Sequence, residues 1–265
     1  MFRLLKVEYY RTTHRLIFII LAGVMLFCAV TGTFNLYSQA QGLYVKQMQG
    51  IVDTRYEVGS EEWEAEYDIL WKQVYAQTFT GHNMIYFLIP GVLSFALGAD
   101  LKKRRVSEMI AAGNTKGKVF WAKSLSYISI CAFLPIVCGS INFWINTSTY
   151  AGHIDASDIG FLLYTIGYMV IFNASIAAWW LPMYYLTGEP ISGLLCNFFF
   201  SSSLFMRLQS IFPHDSYNHP SGAMFYYFTG DVAPEWGQVM LLVTVILGLI
   251  SLIATRLIFQ KRALK

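Results

Sequence analysis

The chain has 265 residues, of which 55% are hydrophobic, 17% aromatic and 13% charged, with a mean hydropathy of +0.46. Soluble domains carry about 25% charged residues, so the composition excludes an ordinary water-soluble globule and places the chain in a bilayer. A formal net charge of +3 is too small for a nucleic-acid surface; Cys28, Cys131, Cys138 and Cys196, all within apolar runs and with no CxxC pair or nearby His, exclude a disulfide framework and a zinc site.

Residues 1–15 mix Phe2, Leu4, Leu5, Val7, Tyr9 and Tyr10 with Arg3, Lys6, Glu8 and Arg11. A solvated basic tail would leave those apolar groups in water, so the pattern predicts a short elbow helix in the membrane interface. The first apolar run, Leu16 to Tyr37, meets the roughly 20 residues that a hydrocarbon core of about 30 Å requires. It is too long for the apolar part of a signal peptide and lacks a small-residue cleavage site, which predicts an uncleaved span.

Residues 38–81 form an extracytoplasmic insert, with Asp53, Glu57, Glu61, Glu62, Glu64, Glu66 and Asp68 against Lys46, Arg55 and Lys72. Within it, SEEWEAEYDILWKQVYAQ predicts an amphipathic outer helix. Ser60 caps it, Glu61 and Glu62 suit its positive end, and Trp63, Tyr67, Leu70, Trp71 and Val74 recur at helical spacing. The ordinary reading is a helix packed on its neighbours; the alternative is a surface that receives a cationic substrate.

A second span, Asn83 to Ala99, contains Pro90, Gly91 and Gly98. The loop DLKKRRVSEMIAAGNTKGKVFWAK follows, with Lys102, Lys103, Arg104, Arg105, Lys116, Lys118 and Lys123. Lys and Arg resist translocation in short loops, so this loop belongs in the cytoplasm. Span three is Phe120 to Ile145, and the connection to Gly160 holds Asp155 and Asp158 but no Lys or Arg. Span four, Phe161 to Leu181, ends in Trp179 and Trp180; after a TGEP turn, span five runs from Ile191 to Ile211 and includes Arg207. Residues 213–236, polar at both ends and aromatic at the centre, predict a re-entrant outer segment. Span six, Gly237 to Phe259, precedes QKRALK.

With both termini, the 100–119 loop and the TGEP turn inside, only Lys46, Arg55, Lys72 and Arg207 of the 19 basic residues stay outside. Of the 16 acidic residues, only Glu8, Asp100, Glu108 and Glu189 fall inside. This sorting predicts an all-α integral membrane protein: one domain over 1–265, six transmembrane helices, N-in and C-in.

Catalytic chemistry finds little support. GNTKGK at Gly113 to Lys118 has too few residues between its glycines for a P-loop, and Val119 stands where Ser or Thr should follow. No HExxH helix, GxSxG elbow or paired intramembrane Asp occurs. The predicted spans hold no acidic residue for ion coupling. Their Asn and Ser groups more often join helices, but Asn83, Tyr86, Ser94, Asn197 and Ser201 are candidates to line a path for an amphipathic substrate.

The elbow helix, the six-span layout and the loop KKRRVSEMIAAGNTKGKVFWAKSL together resemble the membrane subunit of ABC-2 type exporters, the type V fold. The likeness covers essentially the whole chain. It implies a coupling helix in the loop, with Arg104, Arg105, Glu108, Met109, Ala111, Gly113, Asn114 and Lys116 facing an ATPase and Lys123 entering span three. Asn114 followed by Thr115 departs from the Thr usual after the loop glycine, and the insert after span one is longer than in minimal members.

The resemblance further implies a non-catalytic permease subunit in a bacterial plasma membrane, binding no cofactor or metal itself. ATP and Mg would sit on a dimer of partner ATPase chains, and a second permease, self or paralogue, would complete the path. The cargo would be an amphipathic peptide, such as an antimicrobial peptide, or a lipid. Two alternatives stay open: a membrane peptide sensor or immunity protein without transport, and an intramembrane enzyme relying on Ser221 or His219.

Overall fold

The computed structural model describes residues 2–16, 19–20, 23, 97, 100, 105–150, 156–187 and 234–261. Most of predicted spans one and two, all of span five, the outer helix within 38–81 and most of the 213–236 segment lie outside the described residues. Among the described residues every regular element is helical: α1 (Phe2–Thr13), α2 (Arg105–Ala111), α3 (Lys116–Tyr150), α4 (Ala156–Thr187) and α5 (Pro234–Lys261).

Three of these helices are long and apolar enough to cross a membrane, over Lys116–Ile141, Ile159–Thr187 and Leu241–Lys261. They coincide with predicted spans three, four and six. At 35 residues, α3 is about 52 Å long, so its ends must project beyond a hydrocarbon core of about 30 Å. Thr115 starts it: its hydroxyl accepts the backbone N–H of Lys118 at 3.3 Å, satisfying one of the donors that a helix start leaves open. Pro135 and Pro182 sit inside α3 and α4. Each deletes one backbone donor, which a membrane helix tolerates where neighbouring groups satisfy the freed carbonyl.

An aromatic cluster ties the three long helices at one end. Phe120 of α3 lies 5.3 Å from Tyr185 of α4 and 5.8 Å from Phe259 of α5, and the last two are 5.1 Å apart. Close by, the Arg256 guanidinium sits 5.7 Å over the Trp121 ring, and Lys116 Nζ donates to the Gln260 carbonyl at 3.4 Å. A cation there suits the negative end of α5. The start of α3 therefore meets the ends of α4 and α5, so α3 runs antiparallel to both, and α4 and α5 run parallel.

Deeper in, α4 and α5 approach backbone to backbone. A Cβ on Gly248 would come within 3.0 Å of the Ser175 carbonyl oxygen, so only a residue without a side chain permits this separation, as small residues do between membrane helices. Trp179 Nε1 donates to the Thr244 carbonyl at 3.2 Å across the same seam. On the opposite side of α5, Leu242, Val243, Ile246, Leu249, Ile250, Ile253 and Leu257 are exposed. Such a face is a liability in water and an asset in lipid.

Charge sorts along this bundle. Among the described residues, every Lys and Arg lies on α1, on the segment 15–16, on α2, in the first turns of α3 or in the last turns of α5. Asp158 and Glu235 lie in the first turns of α4 and α5, at the other end.

Candidate functional site

The basic end carries two adjoining features, an exposed hook and a buried charge node. The hook is α2 with the turn after it. Val106 is buried, and Met109 and Ile110 pack against the core; their spacing gives a seven-residue helix one apolar side. Glu108, Ala111 and Gly113 lie exposed on the other.

The turn is built by hydrogen bonds that only a left-handed residue permits. Gly113 has φ +89°. Its N–H donates to the Ile110 carbonyl at 2.9 Å and the Asn114 N–H to the Met109 carbonyl at 3.4 Å, the double closure of a Schellman cap. The Asn114 side chain adds a third bond, Nδ2 to the same Met109 oxygen at 2.9 Å. One residue later Thr115 caps α3. Two helix termini are thus satisfied within four residues, and the hook is fixed on the start of α3.

The node lies behind it. Lys123 is 1% exposed, and Glu8 and Asp100 are each 3% exposed. Lys123 Nζ donates to Glu8 Oε2 at 3.0 Å and to Asp100 Oδ2 at 2.8 Å. The other Asp100 oxygen, Oδ1, accepts from Arg15 at 2.8 Å and from Arg11 and Arg105 at 3.4 Å each. Arg11 also reaches Glu8 Oε1 at 3.3 Å. Beside the node, the Tyr9 hydroxyl bonds that of Ser129.

Burial alone would raise the Asp100 carboxyl's pKa, but the facing Lys123 ammonium and the Arg15 guanidinium outweigh it and hold the group below its usual value. A buried charge is tolerated only when paired and hydrogen-bonded. Here one lysine and three arginines meet two carboxylates and join α1, Asp100, α2 and α3.

Arg105 belongs to both features, as the first residue of α2 and a ligand of Asp100. Met109, Gly113 and Asn114 form the cap, and Lys116 reaches α5. Arg104 and the path candidates Asn83, Tyr86, Ser94, Asn197 and Ser201 lie outside the described residues. In the sequence Glu8 and Asp100 read as plain inside acids and Lys123 as one of the loop charges, whereas in the structure Lys123 is a buried centre of ion pairing. The available signal was Glu8 as the one acid in a basic helix, and Lys123 set among Phe120, Trp121, Ala122 and Leu125. No group of His, Cys, Asp and Glu among the described residues can hold a metal ion.

Comparisons of the chain with protein-family models, with curated proteins and with solved structures find no match.

Proposed function

We propose that this chain is the membrane-spanning, non-catalytic subunit of an ABC-2 type exporter, driven by ATP that a separate ATPase dimer hydrolyses. The observation that carries the reading is the hook. Its tip, the outer side with Glu108 and Ala111 to Gly113, is exposed on the basic end, while its base is fixed to α3 by two caps and to α1 by the charge node. A push on such a tip moves helices; a flexible loop would absorb it.

Two features of the bundle support a six-span layout with both termini inside. α1 and the end of α5 share the basic end, which suits an even number of crossings. The parallel α4 and α5 call for a return crossing between them, where the apolar run Ile191 to Ile211 stands. The sorting of Lys and Arg supports a cytoplasmic basic end. In this reading a second permease completes the path, and the cargo is an amphipathic peptide or lipid, matching the apolar and amide-bearing spans.

The test is gentle detergent extraction of the tagged chain from its native host, with partners identified by mass spectrometry and ATPase activity assayed. An ATPase should co-elute with the unaltered chain, and Glu108→Ala should release it or uncouple its activity. Extraction with no ATPase would end the exporter reading.

A further inference from the structure

We propose that the open side of the charge node binds the phosphate of an anionic phospholipid at the membrane surface. Among the described residues the node holds four cationic side chains and two carboxylates, so it keeps an excess of positive charge. Lys123 offsets one of the two buried carboxylates and the arginines offset the other, so the remaining positive charge sits on the arginines. The excess therefore faces outward.

Arg11 and Arg105 show where it is presented, with side chains 26% and 41% exposed. A guanidinium carries five N–H donors. Arg11 uses two nitrogens, on Glu8 and Asp100, at 3.3 and 3.4 Å, and Arg105 uses one, at 3.4 Å. These are longer than the roughly 2.7–2.9 Å of a strong charge-assisted bond, so both groups have donors and attraction left for a further anion. A phosphate diester, with a full charge and two free oxygens, suits a pair of arginine forks.

The surroundings select a lipid over a free solute. Tyr10, Leu16, Ile19 and Ile20 are exposed apolar neighbours in sequence of Arg11 and Arg15, and they give acyl chains a surface beside the headgroup site. Arg3 and Lys6 are exposed on α1, and basic residues near an anionic leaflet add to its attraction. This inference goes beyond the exporter reading and stands whether or not an ATPase binds the hook.

The experiment is thermal unfolding of the full chain, delipidated in a nonionic detergent, with added dioleoylphosphatidylglycerol, dioleoylphosphatidylcholine or inorganic phosphate. The anionic lipid should raise the midpoint at concentrations where the zwitterionic lipid and phosphate do not. The double variant Arg11→Gln/Arg105→Gln should need about tenfold or more lipid for the same shift, whereas Lys118→Gln/Lys261→Gln should respond like the unaltered chain. Equal shifts with both lipids, an equal shift with phosphate, or an unchanged response of the arginine variant would each overturn the proposal. Should the arginine variant fail to fold, headgroup-photoactivatable phosphatidylglycerol on the unaltered chain decides. Crosslinks should fall in residues 8–16 and 105–111 or at Asp100, and their absence there refutes the site.

Discussion

The charge node and the hook tip stand a few residues apart and are both made of charged side chains, yet they are opposites. In the node, Lys123 and Asp100 are buried and bonded on several sides. At the tip, the Glu108 side chain is exposed and makes no hydrogen bond or ion pair among the described residues. Arg105 links the two, half in each. The same residue types thus hold the molecule together in one place and remain available to a partner in the other, and burial decides which.

The largest effect should come from the centre of the node. Lys123→Ala takes the buried partner from Glu8 Oε2 and Asp100 Oδ2 and leaves their other oxygens to the arginines; breaking a buried pair from one side costs up to about 3–5 kcal/mol. Thermal unfolding in detergent, followed by tryptophan fluorescence, should show a steep loss of stability, while Lys118→Ala, an exposed lysine five residues earlier, should change little. Equal effects of the two substitutions would erase the contrast between node and surface.

Acid should weaken the same joint. The Asp100 carboxyl is held below its usual value of 3.8, so the folded state takes up its proton less readily than the unfolded chain does. Its contribution is complete about one unit above 3.8 and disappears as pH falls through the lowered value. Midpoints of the unaltered chain and of Asp100→Asn should therefore differ at neutral pH and converge as pH falls through that lowered value. A gap that persisted in acid would mean that the carboxylate is not what stabilises the joint.

A smaller effect separates the backbone from the side chains at the hook. A Cβ would meet nothing within 4 Å at either Gly113 or Gly117, but only Gly113 has a left-handed φ, at +89°. Gly113→Ala should cost about 1–2 kcal/mol, and Gly117→Ala, in helical backbone, should be neutral or stabilising by up to about 1 kcal/mol. Opposite signs at two equally roomy sites would locate the constraint in the cap. Equal signs would deny that the Schellman turn fixes the hook.

The extent to which this architecture is legible in sequence follows the range of the forces involved. α3, α4 and α5 are written as long apolar runs, and membrane insertion needs little more than such a run. The hook is local as well: EMIAA followed by Gly113 and Asn114 spells a helix and its terminator within a few residues. The node is not local. Lys123 pairs with Glu8 across 115 positions and with Asp100 across 23, and a charge reads the same in a sequence whether it is solvated or enclosed. A count by membrane side assigned all three to the inside and said nothing of burial. The path candidates lie outside the described residues, and their role rests on the resemblance and on their polarity.

The smallest stability effect is the one with most to say about function. The Glu108 side chain is exposed and makes no hydrogen bond or ion pair among the described residues, so Glu108→Ala should move the unfolding midpoint within the range of ordinary surface substitutions, about 0.5 kcal/mol either way. It sits in the first turn of α2, where a carboxylate gains a few tenths of a kcal/mol from the helix dipole, so the residual change should be a slight loss. If this nearly silent substitution also abolishes co-purification of an ATPase, the contact is made by the side chain at the tip and not through the fold. If it destabilises as strongly as Lys123→Ala, the tip belongs to the joint, and the division between a buried node that holds and an exposed hook that engages fails.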